Sequence, residues 1–341
     1  MKRNWIEIME SAYELDGDDE QWLQKIADLV RPTLDRGKGV VGYFFDASAE
    51  ELKISSYVGA GAGPAEIEFA RRTHEVPIWR SSAMLRATYR SPSALRYASS
   101  MAQRRLRMLR KGTGLSGPGD VLIFNVADPS HKGCVFGALD LSPAPEALAH
   151  RVSWSRIAAH VAAGLRLRRR LNELEAPTPP ADAILSPAGS VIHAEGPAKA
   201  RSAREVLRDA AVAIDRARGP MRRSDPEAAA ELWRGMVDGR WSLVDRFESD
   251  GRRLVVAYRN GVAAGRPRGL TEREQQVVAY VALARPNKLI AYELGLSVSA
   301  VGTYVASALA KLGVTSRVDL MKLLSAFEPS RGSVTEARQT K

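Results

Sequence analysis

Two periods of apolar residues, one helical and one of two, succeed each other along this chain, and the points where one gives way to the other mark its elements. From about Trp5 to Pro32 the apolar positions follow a helical spacing. VVGYFFD (Val40 to Asp46) and LKISSYV (Leu52 to Val58) then have the β-branched and aromatic content of paired strands joined by a polar turn. AEIEFARRTHE predicts a helix, and the arginine-rich stretch from Arg86 to Lys111 reads as helical or irregular. Two more strands, Val121 to Val126 and Cys134 to Leu141, flank an Asp-Pro-Ser-His-Lys-Gly turn, after which Pro145 opens a long helix over Glu146 to Glu175. That helix carries Ile157, Val161, Leu165, Leu171 and Leu174, which fit either a parallel dimer seam or packing onto its own domain.

By order of elements, residues 1–175 resemble a GAF-like or PAS-like sensory or dimerisation domain. The resemblance implies that a small-molecule or protein signal is received between the sheet and the helical insert, near Tyr43, Tyr57, Trp79 and Tyr89; plain aromatic core is the alternative for those four. The proline-rich segment 176–182 reads as a linker. Residues 183–260 form a second, small α+β unit, a reduced PAS-like domain or an extension of the first sheet. It starts with short strands around Pro187-Ala188-Gly189, continues through a helix from about Ala203 to Arg218 and a helical stretch Pro226 to Asp238, and ends in a hairpin around Ser249-Asp250-Gly251-Arg252. Residues 261–269, with Arg266 and Arg268, are a second linker.

Residues 270–327 change to an all-helical pattern. Thr271 and Glu274 have capping-box spacing at the start of a helix whose buried stripe is Val277, Val278, Val281 and Ala282. Pro286 stops it, and Asn287 is read as the cap of a short helix from Lys288 to Leu294. Gly295 suits the left-handed turn and Ser297 the cap of a third helix, with Val301, Val305, Ala308 and Leu312 as its apolar stripe. Two helices joined by such a turn make a helix-turn-helix. Leu270, Thr271, Arg273, Glu274, Val277, Asn287, Lys288, Ile290, Ala291, Leu294, Leu296, Ser297, Val301, Lys311, Leu312, Gly313, Val314, Ser316, Arg317 and Leu320 together resemble the LuxR-type helix-turn-helix domain. The expected fold class is therefore an α+β N-terminal region of sensory type, antiparallel sheets with helices, followed by an all-α four-helix LuxR-type domain. Residues 328–341 are expected to be a disordered tail.

The resemblance implies double-stranded promoter DNA as partner, bound by a homodimer, with Asn287, Lys288, Ser297, Ser299, Gly302, Thr303, Tyr304, Ala306 and Lys311 as the DNA-binding positions. Ser299 and Thr303 would touch base or phosphate, Asn287 and Lys288 phosphate at a helix start, and Lys311 the backbone. Where the family usually has long polar or basic side chains, Gly302 and Ala306 offer backbone or methyl contact only, and Tyr304 stands where histidine is frequent. The alternative function is a non-catalytic protein-interaction or assembly module with a degenerate helix-turn-helix.

Composition narrows the remaining classes. A net charge of +11 favours polyanions. Eleven Lys and Arg fall between Arg71 and Lys111 against the single acid Glu75, a surface for nucleic acid, a solvated helical face, or a partner for the acid-rich first thirty residues. No apolar run reaches membrane-spanning length and the N-terminus lacks a signal-peptide core, so a cytoplasmic protein with no membrane partner is expected. The lone Cys134 lies in a strand and is read as a buried thiol. Gly59 to Pro64 departs from a dinucleotide fingerprint, Ser116 in GLSGP is a poor nucleophile candidate, and His74, His131, His150, His160 and His193 lack the spacing of a metal site. No cofactor, no metal and no enzyme activity are expected.

Overall fold

A computed structural model describes residues 5–75, 83–90, 95–97, 120–140, 148–173, 181–237, 241–247, 251–260 and 270–327. The N-terminal helical stretch is two helices, α1 (Trp5–Ala12) and α2 (Asp19–Leu34). Asp18 breaks it: its carboxylate accepts from the Gln21 amide while the Gln21 side chain accepts from the Asp18 amide, a closed capping box. The buried Arg168 guanidinium then pins the connection by donating to the carbonyls of Glu14 and Gly17, each at 2.8 Å.

The first sheet has the strands β1 (Val40–Asp46), β2 (Lys53–Ala60), β3 (Leu95–Tyr97), β4 (Asp120–Ala127) and β5 (Lys132–Asp140), all antiparallel in the order β2-β1-β5-β4-β3. Alternation divides its faces. Leu122, Phe124, Val126, Cys134 and Phe136 face the core built with α1, α2 and the long helix α5 (Arg151–Glu173). Tyr43, Phe45 and Val135 face the other way with Tyr89, on the side of the helices α3 (Pro64–Glu75) and α4 (Ala83–Arg90).

The second sheet, β6 (Ala183–Leu185), β7 (Val191–Ala194), β8 (Met236–Val237), β9 (Trp241–Phe247) and β10 (Arg253–Arg259), has the order β7-β6-β10-β9-β8. Helices α6 (Arg201–Arg218), α7 (Met221–Ser224) and α8 (Pro226–Leu232) lie between its second and third strands. Numbered within themselves, both sheets are ordered 2-1-5-4-3 and both receive helices after their second strand, so the second repeats the plan of the first.

Several expectations shift. The exit helix begins at Arg151, since His150 takes a left-handed φ of 60° that ends the preceding turn; its expected start near Pro145 and its end at Leu174 and Glu175 lie outside the described residues. Most of its described apolar positions are taken up inside the chain. Ile157, Val161 and Leu165 are buried, and so are Ser153, His160 and Arg168, because the helix is covered on most of its circumference. Of the acids in the first thirty residues, Glu10 pairs with Arg218, Glu14 with Lys25 and Asp19 with Arg168. Trp79, Ser116, most of the basic stretch to Lys111, residues 176–180, the linker 261–269 with Arg266 and Arg268, and the tail 328–341 lie outside the described residues. No single helix among the described residues is long and apolar enough to cross a membrane.

The C-terminal helices are α9 (Glu272–Ala282), α10 (Asn287–Leu294), α11 (Val298–Leu312) and α12 (Arg317–Phe327). Val277, Val278 and Val281 are buried as expected, whereas Ala282 is exposed at the last turn of α9.

Candidate nucleic-acid interface

Four helices of ordinary length are held in register by their ends. The Thr271 hydroxyl accepts from the Glu274 amide at 3.3 Å and the Glu274 carboxylate from the Thr271 amide at 2.7 Å. Gly295 closes α10 at φ 62° and Gly313 closes α11 at φ 68°, both left-handed positions that suit glycine. The Ser297 hydroxyl caps α11, accepting from the Ala300 amide at 3.0 Å. α10 and α11 meet at 108°, within the range of a helix-turn-helix pair.

Glu274 organises the module beyond its cap. Its covered carboxylate accepts from the Ser307 hydroxyl at 2.6 Å and from the Lys311 ammonium at 2.8 Å, tying α9 to α11. Burial by itself raises the pKa of such an acid, but the bonds from Lys311, Ser307 and Thr271 outweigh it and hold it at about 2.

α11 presents two faces. Val301, Val305 and Ala308 are buried against α9, α10 and α12. Ser299, Thr303, Ala306 and Ala310 are exposed on the opposite side, and a side-chain carbon added to Gly302 would meet nothing within 4 Å. The surface is open and short of polar reach. Thr303 spends its hydroxyl hydrogen on the Ser299 carbonyl at 3.1 Å, and Ser299 lies 2.9 Å from the capping Ser297.

Other expected site residues are engaged elsewhere. Tyr304 is half-buried and packs at the core margin. Asn287 is not the cap of α10. The helix begins at Asn287 with Pro286 as its cap residue, and the Asn287 side-chain carbonyl accepts from Arg317 at 2.7 Å. Arg317 also donates to the Arg285 carbonyl, so one guanidinium on α12 ties down the start of α10. Lys288, next in sequence, is exposed, and no ion pair among the described residues holds its ammonium.

α10 also docks the module onto the rest of the chain, against α5 and β8. At its centre Tyr292 donates to the Ala230 carbonyl of α8 at 2.6 Å. With its one hydrogen so used, Tyr292 accepts from His160 Nε2 at 2.8 Å, which leaves His160 Nδ1 to accept from Tyr13 at 2.9 Å. The chain of bonds runs from the residue just after α1, through α5, to α10 and α8. Burial pushes His160 down to about 3, so its imidazole is neutral, as this pattern requires. Nearby, the buried Arg285 pairs with Glu293 at 2.8 Å and donates to the Ala127 carbonyl at the end of β4. Sequence reasoning took His160 for one of five scattered histidines. Its place on the apolar stripe of α5, between Ile157 and Val161, was the available signal of burial, but its partners are 147 and 132 residues away.

No group of three His, Cys, Asp or Glu suited to a metal ion occurs among the described residues. Residues 268–324 match the GerE family model, described as bacterial regulatory proteins of the luxR family. The C-terminal helices are therefore a LuxR-family helix-turn-helix domain, and the match touches neither sheet. No curated protein matches the chain.

Proposed function

We propose that this is a transcription regulator that binds promoter DNA through α11 and is controlled by its N-terminal region. The observation that carries the reading is the openness of α11: the chain docks through α10 and leaves Ser299, Gly302, Thr303 and Ala306 uncovered. In this reading α11 lies in the major groove, and Ser299 and Thr303 meet base edges or phosphate. Lys288 neutralises a phosphate beside the start of α10. Asn287 serves by holding Arg317, and Lys311 reaches the backbone only in competition with Glu274. Gly302, Ala306 and Ala310 bring the backbone close to the groove floor without supplying a bidentate donor, so shape and phosphate contacts carry most of the affinity. The two sheets of matching order fit the sensory assignment of residues 1–175 and 183–260, with the protein acting in the cytoplasm as a homodimer on paired half-sites.

The second reading, a protein-docking module, draws on Val298 and Val318, large apolar side chains exposed by 50% and 59% on the same domain. Fluorescence anisotropy with labelled duplexes separates the two. A DNA reader loses affinity with salt, log K against log salt having a slope of about −0.9 per phosphate neutralised. Lys288→Ala should weaken binding to every sequence alike and reduce that slope by about 1, whereas Thr303→Ala should alter the preference between sequences. Retention that neither change affects would contradict the assigned face.

A further inference from the structure

The outer face of the first sheet buries a cation that has no counter-ion among the described residues. Arg96, on β3, points away from its neighbours Leu95 and Tyr97, which belong to the main core, and toward Tyr43 and Tyr89. It is 7% exposed. One guanidinium nitrogen donates to the Thr88 carbonyl at 2.8 Å, its Nε is buried without a hydrogen-bond partner, and no carboxylate among the described residues pairs with it. The residues from 76 to 119 include neither Asp nor Glu, so the chain around Arg96 has no acid to offer. Asp120 and Asp140, at the end of the same sheet, share the strand parity of Leu122 and Ala138 and belong to the opposite face. An isolated buried charge is costly, and buried cations are ordinarily paired.

The described groups nearest Arg96 are phenols, bonded in turn to an imidazole. Tyr57 and Tyr89 bond the two ring nitrogens of His74 at 2.9 and 3.1 Å, and Tyr43 bonds Tyr89 at 3.2 Å. Burial holds His74 at about 4 and the Tyr43 and Tyr89 phenols well above their usual value, so these three do not ionise near neutrality. An open groove of about 1130 Å³ comes up to the edge of this cluster at Phe45, Tyr57 and His74, with Arg71, Asp46, Glu51 and Glu75 also in its wall; Arg96, Tyr43 and Tyr89 lie behind that wall.

We propose that this face is a binding site for a small aromatic monocarboxylate, whose carboxylate pairs with Arg96 and whose ring lies against Tyr43, Phe45 and Tyr89. One guanidinium among neutral groups balances one negative charge; a phosphate dianion would leave an excess of negative charge buried. The inference takes the N-terminal region as the signal-receiving part, as proposed above, and names the class of signal.

The test is calorimetric titration of the full chain with benzoate and 4-hydroxybenzoate, with benzyl alcohol and inorganic phosphate as comparisons at constant ionic strength. Both carboxylates should bind saturably, and benzyl alcohol and phosphate more weakly by about tenfold or more. Arg96→Gln should abolish the preference for carboxylate over alcohol and melt no lower than the unsubstituted chain, because the charge it removes has no partner. Tyr43→Phe should keep the fold and weaken carboxylate binding by a smaller factor. The assignment is overturned by carboxylate binding that survives Arg96→Gln, by no saturable binding of either carboxylate, by tighter binding of phosphate, or by a lower melting point for Arg96→Gln, which marks a structural arginine. A chain that binds DNA in a salt-dependent way yet ignores both carboxylates sinks this site and leaves the DNA reading standing.

Discussion

Glu274 shows how much one residue can carry in so small a domain. The spacing of Thr271 and Glu274 announces a capping box, and the box is present; the bonds from Ser307 and Lys311, 33 and 37 residues on, have no local signature. Asn287 fails for the same reason. A cap is read from neighbours in sequence, while the side chain that claims it, Arg317, is 30 residues away. Because its partners hold the Glu274 pKa at about 2 against an ordinary 4.5, the carboxylate contributes stability that is fully present above 4.5 and lost as pH falls toward 2. Thermal melts across that interval should show an acid-induced loss that Glu274→Gln flattens; an unchanged pH profile would dismiss the role. Gly302 supplies the opposite kind of prediction. It sits mid-helix with open space beyond it, so Gly302→Ala should stabilise the domain by about 0.5–1 kcal/mol in denaturant unfolding, and a loss would mean that the position is crowded.

At the scale of elements the period of the pattern was a good guide wherever one face is buried. β1 runs from Val40 to Asp46 as read, and the hairpin of β9 and β10 lies where its turn residues put it. α5 was harder to interpret because its surroundings are apolar on most sides, and a helix buried all round gives the same residues as a dimer seam. The bonds it makes to α10 explain how the reading domain is held. Tyr292→Phe removes both bonds of that phenol and leaves the Ala230 carbonyl and His160 without it, a cost of about 1–3 kcal/mol to docking. Hydrogen exchange should then speed up in α10 while α11 stays capped; equal protection in both proteins would rule out a latch. The pKa of His160 is depressed from 6.5 to about 3 in the docked form, so stability is lost as pH falls below 6.5, by about 1.4 kcal/mol per unit until about 3. The opening free energy of the α10 amides, taken from exchange rates corrected for the intrinsic slowing of exchange in acid, should fall across that range, and a constant value would place His160 in water.

For the whole molecule, the sequence made the C-terminal domain legible almost to the residue, since caps, stripe and turn glycines agree within some fifty positions. It made most strands of the N-terminal region legible, but not β3, inside a stretch read as helical or irregular, nor β8, inside one read as helical, nor that the second sheet repeats the plan of the first, because β-pairing is decided between segments far apart. The charge of +11 suggested a polyanion, yet Arg168, Arg218 and Arg285 spend their charge inside the chain on Asp19, Glu10 and Glu293. Among the described residues of the C-terminal domain, an exposed helix with small side chains and, at the start of its neighbour, the exposed Lys288 remain uncovered. The most direct test is the salt dependence of duplex binding by the intact chain. The account predicts a linear fall of log K with log salt and a slope smaller by about 1 in Lys288→Ala. No binding at low salt to any duplex, with α9 to α12 folded by circular dichroism, would contradict it.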